Sequence, residues 1–301
     1  MKINQLKKER MMNSLFPIYP SQKMNTQHTI RPVETASKAH TNAVHLSNGW
    51  PIYHVFNSTN LVVVSGLSFA YPGQRHPLLH LNMTFKRGEL TGLIGANGSG
   101  KSTLLKVLNK EYTPTDGTVL VDGIHWSHFD IDAWREQVAF VHGNHEIYSD
   151  TILYNIALSH HPDDSKEAIS FCLRTGFSNY FQEFPRSYLT NIGAKGFQIS
   201  SGQRQLILMA RELFKQPQIL LLDEPTLGLD RKTENFVLNL LNKEKQNRIV
   251  LISTTQPALA QKCDHVVLLD KGIVASSGSP RDRLIAEKLE LDAILGAHTF
   301  R

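Results

Sequence analysis

From Leu61 onward, short apolar runs alternate with segments whose apolar residues recur every three or four positions. The short runs predict strands at Leu61–Ala70, Leu79–Phe85, Leu90–Ile94, Thr118–Val121, Ile219–Asp223, Ile249–Ser253 and His265–Asp270. The periodic segments predict helices at Lys101–Leu108, Gln203–Phe214, Lys232–Asn242 and Asp282–Leu291. Strands that alternate with helices favour an α/β core with a mainly parallel sheet, and we interpret the polar, more helical stretch 151–200 as an insertion.

The first sixty residues have no comparable periodicity. They contain four prolines and many polar residues, so we expect a mostly irregular segment with a short helix near Gln5–Ser14. This segment carries seven Lys or Arg and two Glu, whereas 61–301 carries 25 basic and 25 acidic residues. The net charge of +5 therefore belongs to residues 1–60, which we interpret as a solvated tail; contact with nucleic acid or anionic lipid is the alternative.

The composition excludes several classes of protein. Hydrophobic residues make up 41% and charged residues 20%, which excludes a wholly disordered chain. No stretch approaches the ~20 apolar residues of a membrane-spanning helix, and the first thirty residues lack the apolar core of a secretory signal. Cys172 and Cys263 are too few for a disulfide framework. We therefore expect a protein of the reducing cytosol.

The strongest chemical signal lies between a predicted strand and a predicted helix. It reads Gly95-Ala96-Asn97-Gly98-Ser99-Gly100-Lys101-Ser102-Thr103 and fits the pattern G-x-x-x-x-G-K-[ST]. Glycines let successive backbone amides converge on a phosphate, and the helix N-terminus adds the positive end of its dipole. Lys101 supplies a cation for the β- and γ-phosphates, and the Ser102 hydroxyl can ligate Mg²⁺. The loop therefore predicts a site for a nucleoside triphosphate.

Two further segments carry chemistry that would complete such a site. The apolar run Ile219–Leu222 is followed by Asp223 and Glu224, at the edge where open α/β sheets bind ligands. Asp223 would hold Mg²⁺, and Glu224 would orient or deprotonate a water. The second segment, Ile199-Ser200-Ser201-Gly202-Gln203, opens a predicted helix. Such a turn either binds phosphate or is a simple serine N-cap.

Together these segments resemble the nucleotide-binding domain of ABC transporters, over about residues 61–280. Gly95–Ser102 matches Walker A, and Ile219–Glu224 matches Walker B with its catalytic glutamate. Ile199–Gln203 matches the LSGGQ signature, with a serine in place of its first glycine. By the same resemblance, Leu227–Asp230 is the D-loop. The stretch Phe184–Gly193 resembles the segment that faces the membrane domains in the exporter branch.

The resemblance implies a fold and a domain layout. We expect an α/β P-loop NTPase core with a mainly parallel sheet, an antiparallel β subdomain and a helical insertion subdomain. The ATP-binding domain would cover 61–290, with the insertion at about 151–200. The basic segment 1–60 would precede it, and a C-terminal tail, 291–301, would follow.

The resemblance also implies a dimer of two cassettes around ATP and Mg²⁺. Tyr71 would stack on adenine, the loop from Gly95 to Thr103 would bind the phosphates, and Glu224 would catalyse hydrolysis. Ser102 and Asp223 would ligate Mg²⁺. Contacts to the nucleotide of the other subunit would come from the signature residues Ser200, Ser201, Gly202 and Gln203.

Three places depart from the family pattern. The Q-loop glutamine aligns with Gly143, the switch histidine aligns with Thr255, and two acidic positions before the signature are Asn191 and Ala194. A glycine offers no side-chain ligand, and a threonine hydroxyl is shorter than an imidazole and carries no charge. Losing one preorganised contact typically costs on the order of 10²–10³ in rate, or about 2.7–4 kcal/mol. We therefore expect intact ATP binding and slow hydrolysis.

His142 and His145 flank the missing Q-loop glutamine. They could substitute for it, but we expect exposed loop histidines without such a role.

We interpret the chain as the ATP-hydrolysing cassette of an exporter whose permease is a separate chain, on the cytoplasmic face of a membrane. Two alternatives remain open: an ATP-gated module that does not hydrolyse, and a soluble ABC protein that acts on nucleic acid through its basic tail. The exporter-like stretch Phe184–Gly193 argues against a nucleic-acid partner. A remnant of a longer exporter is a further alternative.

Overall fold

The computed structural model describes residues 43–45, 51–53, 58–73, 79–143, 145–194 and 196–289. The helix predicted near Gln5–Ser14 and the tail 291–301 lie outside these described residues. Within the basic segment, two short strands, β1 (Ala43–His45) and β2 (Pro51–Tyr53), pair antiparallel.

Ten further strands of the described residues form one sheet. In chain order they are β3 (Leu61–Phe69), β4 (Leu79–Lys86), β5 (Leu90–Ile94), β6 (Asp116–Val121), β7 (Ile124–His125), β8 (Val138–Val141), β9 (Ile219–Asp223), β10 (Ile249–Thr254), β11 (His265–Asp270) and β12 (Ile273–Gly278). Their order across the sheet is β7-β6-β3-β4-β12-β11-β5-β10-β9-β8. Strands β11, β5, β10, β9 and β8 run parallel, whereas β7, β6, β3 and β4 pair antiparallel. The expected α/β fold with a parallel core and an antiparallel part is confirmed.

Helices cover both faces of the parallel strands. They are α1 (Lys101–Leu108), α2 (Ile131–Gln137), α3 (Ile152–Ala157), α4 (Pro162–Thr175), α5 (Ser178–Phe181), α6 (Ser201–Phe214), α7 (Arg231–Glu244), α8 (Pro257–Ala260) and α9 (283–289). Short 3₁₀ turns lie at Trp126–His128 and Ser187–Leu189. None of the helices among the described residues is both long and apolar enough to cross a membrane.

Residues of β9 show why the parallel strands read as continuous apolar runs. Leu220 and Leu222 pack into a core that also contains apolar residues of α6 and α7. Ile219 and Leu221 pack into a second core, on the other face, with Leu104 of α1. Because successive side chains of a strand point to opposite faces, a strand covered on both faces needs apolar residues at every position.

Several predicted elements have the observed bounds, namely Leu90–Ile94, Lys101–Leu108, Ile219–Asp223 and His265–Asp270. The strand predicted at Thr118–Val121 begins two residues earlier, and the helix predicted at Gln203–Phe214 begins at Ser201. Helix α2 and strands β7, β8 and β12 were not predicted. Strand β8 has four residues and follows α2 directly, so no turn residue marks its start. Strand β12 reads Ile-Val-Ala-Ser-Ser-Gly and is only partly buried, so it lacks an apolar run.

Candidate nucleotide site

The loop Gly95–Gly100 joins β5 to α1 and lies at the carboxyl ends of the parallel strands. A Cβ atom at Gly95 would lie 2.3 Å from the carbonyl oxygen of Leu269, so no larger residue fits there. Gly100 precedes α1 in the left-handed region, at φ 103°, which favours glycine. Packing therefore restricts position 95 to glycine, and backbone conformation favours glycine at position 100.

The N-terminus of α1 has no side-chain cap. The first amides of a helix lack partners within the helix and need an acceptor from elsewhere. In contrast, Ser200 and Asp230 cap α6 and α7 with their own side chains. The Ser99 hydroxyl in the same loop is buried and has no hydrogen-bond partner among the described residues. A phosphate is an acceptor suited to both unsatisfied groups.

Lys101 is the first residue of α1, directly after this loop, and its side chain is buried. Its ammonium donates to the carbonyl oxygens of Gly95, at 2.8 Å, and Ala96, at 3.0 Å. Burial lowers the pKa of Lys101, and the nearby carboxylates of Glu224 and Asp223 oppose that effect. The lysine therefore holds a partly desolvated positive charge inside the loop.

A carboxylate and a hydroxyl meet next to this charge. The Ser102 hydroxyl donates to Oδ1 of Asp223 over 3.1 Å, although the two residues lie 121 positions apart. Ser253, at the end of β10, donates to the same oxygen. Hard oxygen ligands of this kind suit Mg²⁺, which usually keeps several waters as further ligands. The donor set of Ser102 and Asp223 thus fits the metal that the sequence predicts.

Glu224 follows β9 with a left-handed backbone, at φ 50°. Burial raises the pKa of its carboxyl group above the ordinary value; Lys101 lowers it, and Asp223 raises it. Hydrogen bonds from the Thr255 amide and the Thr254 hydroxyl also lower it. A carboxylate with a raised pKa is better matched to general-base work near neutral pH than an ordinary glutamate.

Tyr71 lies beside α1 within an aromatic cluster. Its hydroxyl shares a hydrogen bond of 3.1 Å with the Thr103 hydroxyl. Its ring meets Phe69 and Tyr112 edge-on, with centroid distances of 5.0 and 5.6 Å. Tyr112 in turn stacks on Phe69. The cluster fixes the tyrosine next to the loop, where the sequence predicts an adenine contact.

The four signature residues form the start of α6. Ser200 is the N-cap and accepts from the Gln203 amide at 3.1 Å, while the Ser200 amide donates to the Gln203 side chain at 2.9 Å. A Cβ at Gly202 would lie 3.1 Å from Leu229, and one at Gly228 would lie 3.2 Å from the Ser201 hydroxyl. The predicted D-loop therefore packs against the signature. Among the described residues, no hydrogen bond joins this group to the loop Gly95–Thr103.

Gly143 and Thr255 lie at the same edge of the sheet as Asp223 and Glu224. Strand β8 ends beside β9, since Val141 pairs with Leu222, and exposed Gly143 follows two residues later. Thr255 is exposed and follows β10. The two positions that lack the family's side chains thus flank the carboxylates.

The expectation of exposed loop histidines is wrong. His142 and His145 are half-buried, and their rings pack edge-on with centroids 3.9 Å apart. Burial lowers the pKa of both imidazoles, to about 3 for His145. The Phe140 ring lies 4.7 Å from the His142 ring, centroid to centroid, and shields part of this pair from solvent.

Sequence reasoning missed several residues of the site. Ser253 and Thr254 contact the two carboxylates from the neighbouring strand β10, and Tyr112 supports the Tyr71 ring. The only available signal for Ser253 and Thr254 was their position at the end of a predicted parallel strand.

Comparisons with known proteins agree with this geometry. Residues 78–227 match the family model described as ABC transporter. The chain is 35% identical over 216 residues to the leptomycin B resistance protein pmd1 of Schizosaccharomyces pombe, covering 71% of this chain and 16% of pmd1. It is 34% identical to the leukotoxin export ATP-binding protein LtxB of Aggregatibacter actinomycetemcomitans, covering 74% of this chain and 32% of LtxB. It is 31% identical to the alpha-hemolysin translocation ATP-binding protein HlyB of Escherichia coli O157:H7, covering 75% of this chain and 32% of HlyB.

A solved structure of a bacterial Atm1-family ABC exporter with ATP bound superposes with a TM-score of 0.70. That match covers 98% of this chain and 47% of the exporter chain at 24% identity, and it shows the fold alone. The chain spans 16% to 32% of the length of the three relatives named above. The family model and the relatives at 31% to 35% identity show that the chain belongs to the ABC transporter family, as a nucleotide-binding domain of its exporter branch.

Proposed function

We propose that this domain binds ATP with Mg²⁺ at Gly95–Thr103, hydrolyses it slowly and drives an exporter whose permease is a separate chain. The observation that carries the proposal is the uncapped N-terminus of α1, with Lys101 beside it and the Ser102–Asp223 pair at 3.1 Å. The 61–290 region is the proposed ATP-binding domain, with an insertion at about 151–200.

In this proposal, Lys101 exchanges its two carbonyl partners for oxygens of the β- and γ-phosphates. The amides of the loop and of the first turn of α1 donate to the same phosphates. Ser102 and Asp223 hold Mg²⁺, which supplies the positive charge that one lysine cannot provide alone. Tyr71 stacks on adenine, held in place by Thr103 and by its aromatic neighbours.

Glu224 then accepts a proton from, or orients, the attacking water. Its raised pKa and its position beside Lys101 and Asp223 support this role. Gly143 has no side chain that could order the water, and the Thr255 hydroxyl is shorter than an imidazole and brings no charge to the γ-phosphate. Losing one preorganised contact typically lowers the rate by on the order of 10²–10³. Turnover should therefore be slower by that factor than in a site with the family's side chains at both positions.

A second cassette supplies the signature to each nucleotide. Ser200 uses its oxygen as an acceptor in the capping box, so its hydroxyl hydrogen stays available for a phosphate oxygen. Ser201, Gly202 and Gln203 lie in the same first turn of α6 and contribute amides and side chains. ATP bound between two such surfaces holds the dimer together, and hydrolysis releases it.

Export is supported by the relatives LtxB and HlyB, whose names describe export and translocation. Leu189 and Phe197, within and just after the stretch Phe184–Gly193, expose 55% and 42% of their surface. Exposed apolar residues at this place fit a docking surface for a permease, at the cytoplasmic face of a membrane.

The test measures phosphate release by the purified chain with MgATP. Glu224→Gln is the matched blank, because it removes the base while keeping the size of the side chain. We expect slow turnover that exceeds this blank, and the assay is repeated after adding a candidate partner cassette.

The second candidate function is an ATP-gated module without hydrolysis, which the residues at positions 143 and 255 favour. MgATP binding by calorimetry, without any turnover above the Glu224→Gln blank in either assay, would establish this candidate instead.

A further inference from the structure

Two arginines of the signature helix α6 hold the chain segment that follows Gly143. Arg204 donates through Nη2 to the carbonyl oxygen of His145. Arg211 donates through Nη1 to the carbonyl oxygen of Glu146 at 2.8 Å. The arginines lie seven positions apart, about two helical turns, and therefore share one face of α6.

Arg211 is the buried member of this pair, with 5% of its surface exposed. Its Nε donates to the carbonyl oxygen of Asn155 at 2.6 Å, and its Nη2 donates to the Asn155 side-chain oxygen at 2.8 Å. The guanidinium also lies 5.2 Å from the centroid of the Tyr148 ring. Its hydrogen bonds among the described residues thus go to amide and carbonyl oxygens. Losing these acceptors would leave a buried charge unsatisfied.

Asn155 of α3 extends the network to the turn before that helix. Its side chain accepts from the Tyr148 amide at 2.9 Å and donates to the carbonyl oxygens of Tyr148 and Thr151, both at 3.0 Å. The backbone of 145–155 is therefore tied to α6 at several points. A shift of this backbone must either move α6 or break charged hydrogen bonds.

We infer that Arg204 and Arg211 are positioning residues that couple the segment after Gly143 to the signature Ser200–Gln203. The inference rests on the proposed function. Gly143 has no side chain to respond to a nucleotide, but its segment begins at the end of β8, beside the strand that carries Asp223. Arg204 lies in the first turn of α6, directly after the signature. A displacement of the His145 carbonyl would therefore move the turn that is proposed to contact the phosphate bound by the second cassette.

Hydrogen–deuterium exchange with mass spectrometry tests the coupling. The full chain carries Glu224→Gln to prevent hydrolysis and is compared with and without MgATP. In this parent we expect protection of the amides at 95–104 and a slower exchange at 200–206. Arg204→Met should retain the protection at 95–104 and reduce the response at 200–206 by about three- to tenfold, which lies within the range by which single mutations change coupling between sites.

Three further variants separate coupling from simple stabilisation. Arg204→Lys keeps a charge that can reach one carbonyl and should restore most of the response at 200–206. Arg211→Lys cannot serve three acceptors with one ammonium and should reduce the response. Arg174→Met removes an exposed arginine of α4 and should behave as the parent does.

The outcomes separate the two proposals. A parent without protection at 95–104 would contradict the proposed function. With that protection present, an unchanged response at 200–206 in both Arg204→Met and Arg211→Lys would overturn the coupling. A parent whose exchange at 200–206 does not slow when MgATP is added would also overturn the coupling. A uniform rise in exchange across α6, with the ratio between the two states unchanged, would mean that the arginines only stabilise the helix, and it would also overturn the inference.

Discussion

At the scale of single residues, the buried side chain of Lys101 places its ammonium against two carbonyl partners and near two carboxylates. Lys101→Met keeps most of the apolar stem but removes the charge. We expect the ATP affinity to fall by about 10- to 100-fold, equivalent to the 1.5–3 kcal/mol of a charged hydrogen bond. Calorimetry with MgATP measures this, with exposed Lys166→Met as the control. Equal ATP affinity in Lys101→Met and wild type would contradict the proposed binding of the phosphates by Lys101.

The pKa of Glu224 gives a prediction about pH. The Thr254 hydroxyl donates to this carboxylate and lowers its pKa, so Thr254→Val should raise that pKa further. Only the ionised carboxylate accepts a proton from water, so activity falls as pH drops through this pKa. The acid limb of the pH profile of kcat should therefore move to higher pH in Thr254→Val.

Thr91→Val is the control for this shift. Thr91 is a buried threonine of β5 whose hydroxyl has no partner among the described residues. The substitution replaces a hydroxyl by a methyl group, as Thr254→Val does, but removes no hydrogen bond to Glu224. The pH profile of kcat of Thr91→Val should therefore superpose on that of wild type. A Thr254→Val profile that also superposes would contradict a role for Glu224 as the base.

At the scale of elements, aromatic packing attaches the helical insertion to the core. Phe177 is fully buried; its ring lies parallel to that of Phe181, with centroids 5.8 Å apart, and meets Phe236 of α7 edge-on at 5.4 Å. Phe177→Ala should lower the free energy of unfolding by about 3–5 kcal/mol. Urea unfolding measures the loss. Leu173→Ala, at a position 59% exposed on α4, should stay within about 0.5 kcal/mol of wild type.

The elements that the sequence predicts best are those whose bounds depend on local physics. Strand Leu90–Ile94 is a continuous apolar run closed by Gly95, and helix Lys101–Leu108 begins directly after Gly100. Strand β8 differs because its four residues follow a helix without a breaker, and only its pairing with β9 makes it a strand. Its ladder of hydrogen bonds is a tertiary property that no local pattern reports.

At the scale of the whole molecule, strand order brings the site together. Strand β10 lies between β5 and β9 in the sheet, although β5 ends at Ile94 and β10 begins only at Ile249.

 The order therefore explains why Ser253 and Thr254 reach the carboxylates of Asp223 and Glu224. The sequence predicts that strands end in these residues, but it does not predict which strands are neighbours. For that reason the loop and the two carboxylates could be predicted, whereas their supporting hydroxyls and the paired rings of His142 and His145 could not.

The same strand order makes Thr255 the position where hydrolysis can be tested. Thr255 is exposed directly after β10, and its amide donates to the Glu224 carboxylate. A histidine at this position keeps the hydrogen bond from the backbone amide to Glu224. It also adds an imidazole, which by the family resemblance would contact the γ-phosphate. We expect Thr255→His to raise the Glu224-dependent ATPase rate by about tenfold or more, since one preorganised contact is typically worth on the order of 10²–10³.

Phosphate release by Thr255→His is measured beside Thr255→Ala, which adds no new group and should not exceed wild type. The double variant Thr255→His with Glu224→Gln should show no turnover, because the imidazole assists the glutamate and does not replace it. If Thr255→His binds MgATP normally yet gains no activity, the missing imidazole does not limit the rate. The limit would then lie at Gly143, whose position beside β9 leaves the attacking water without a side chain to order it.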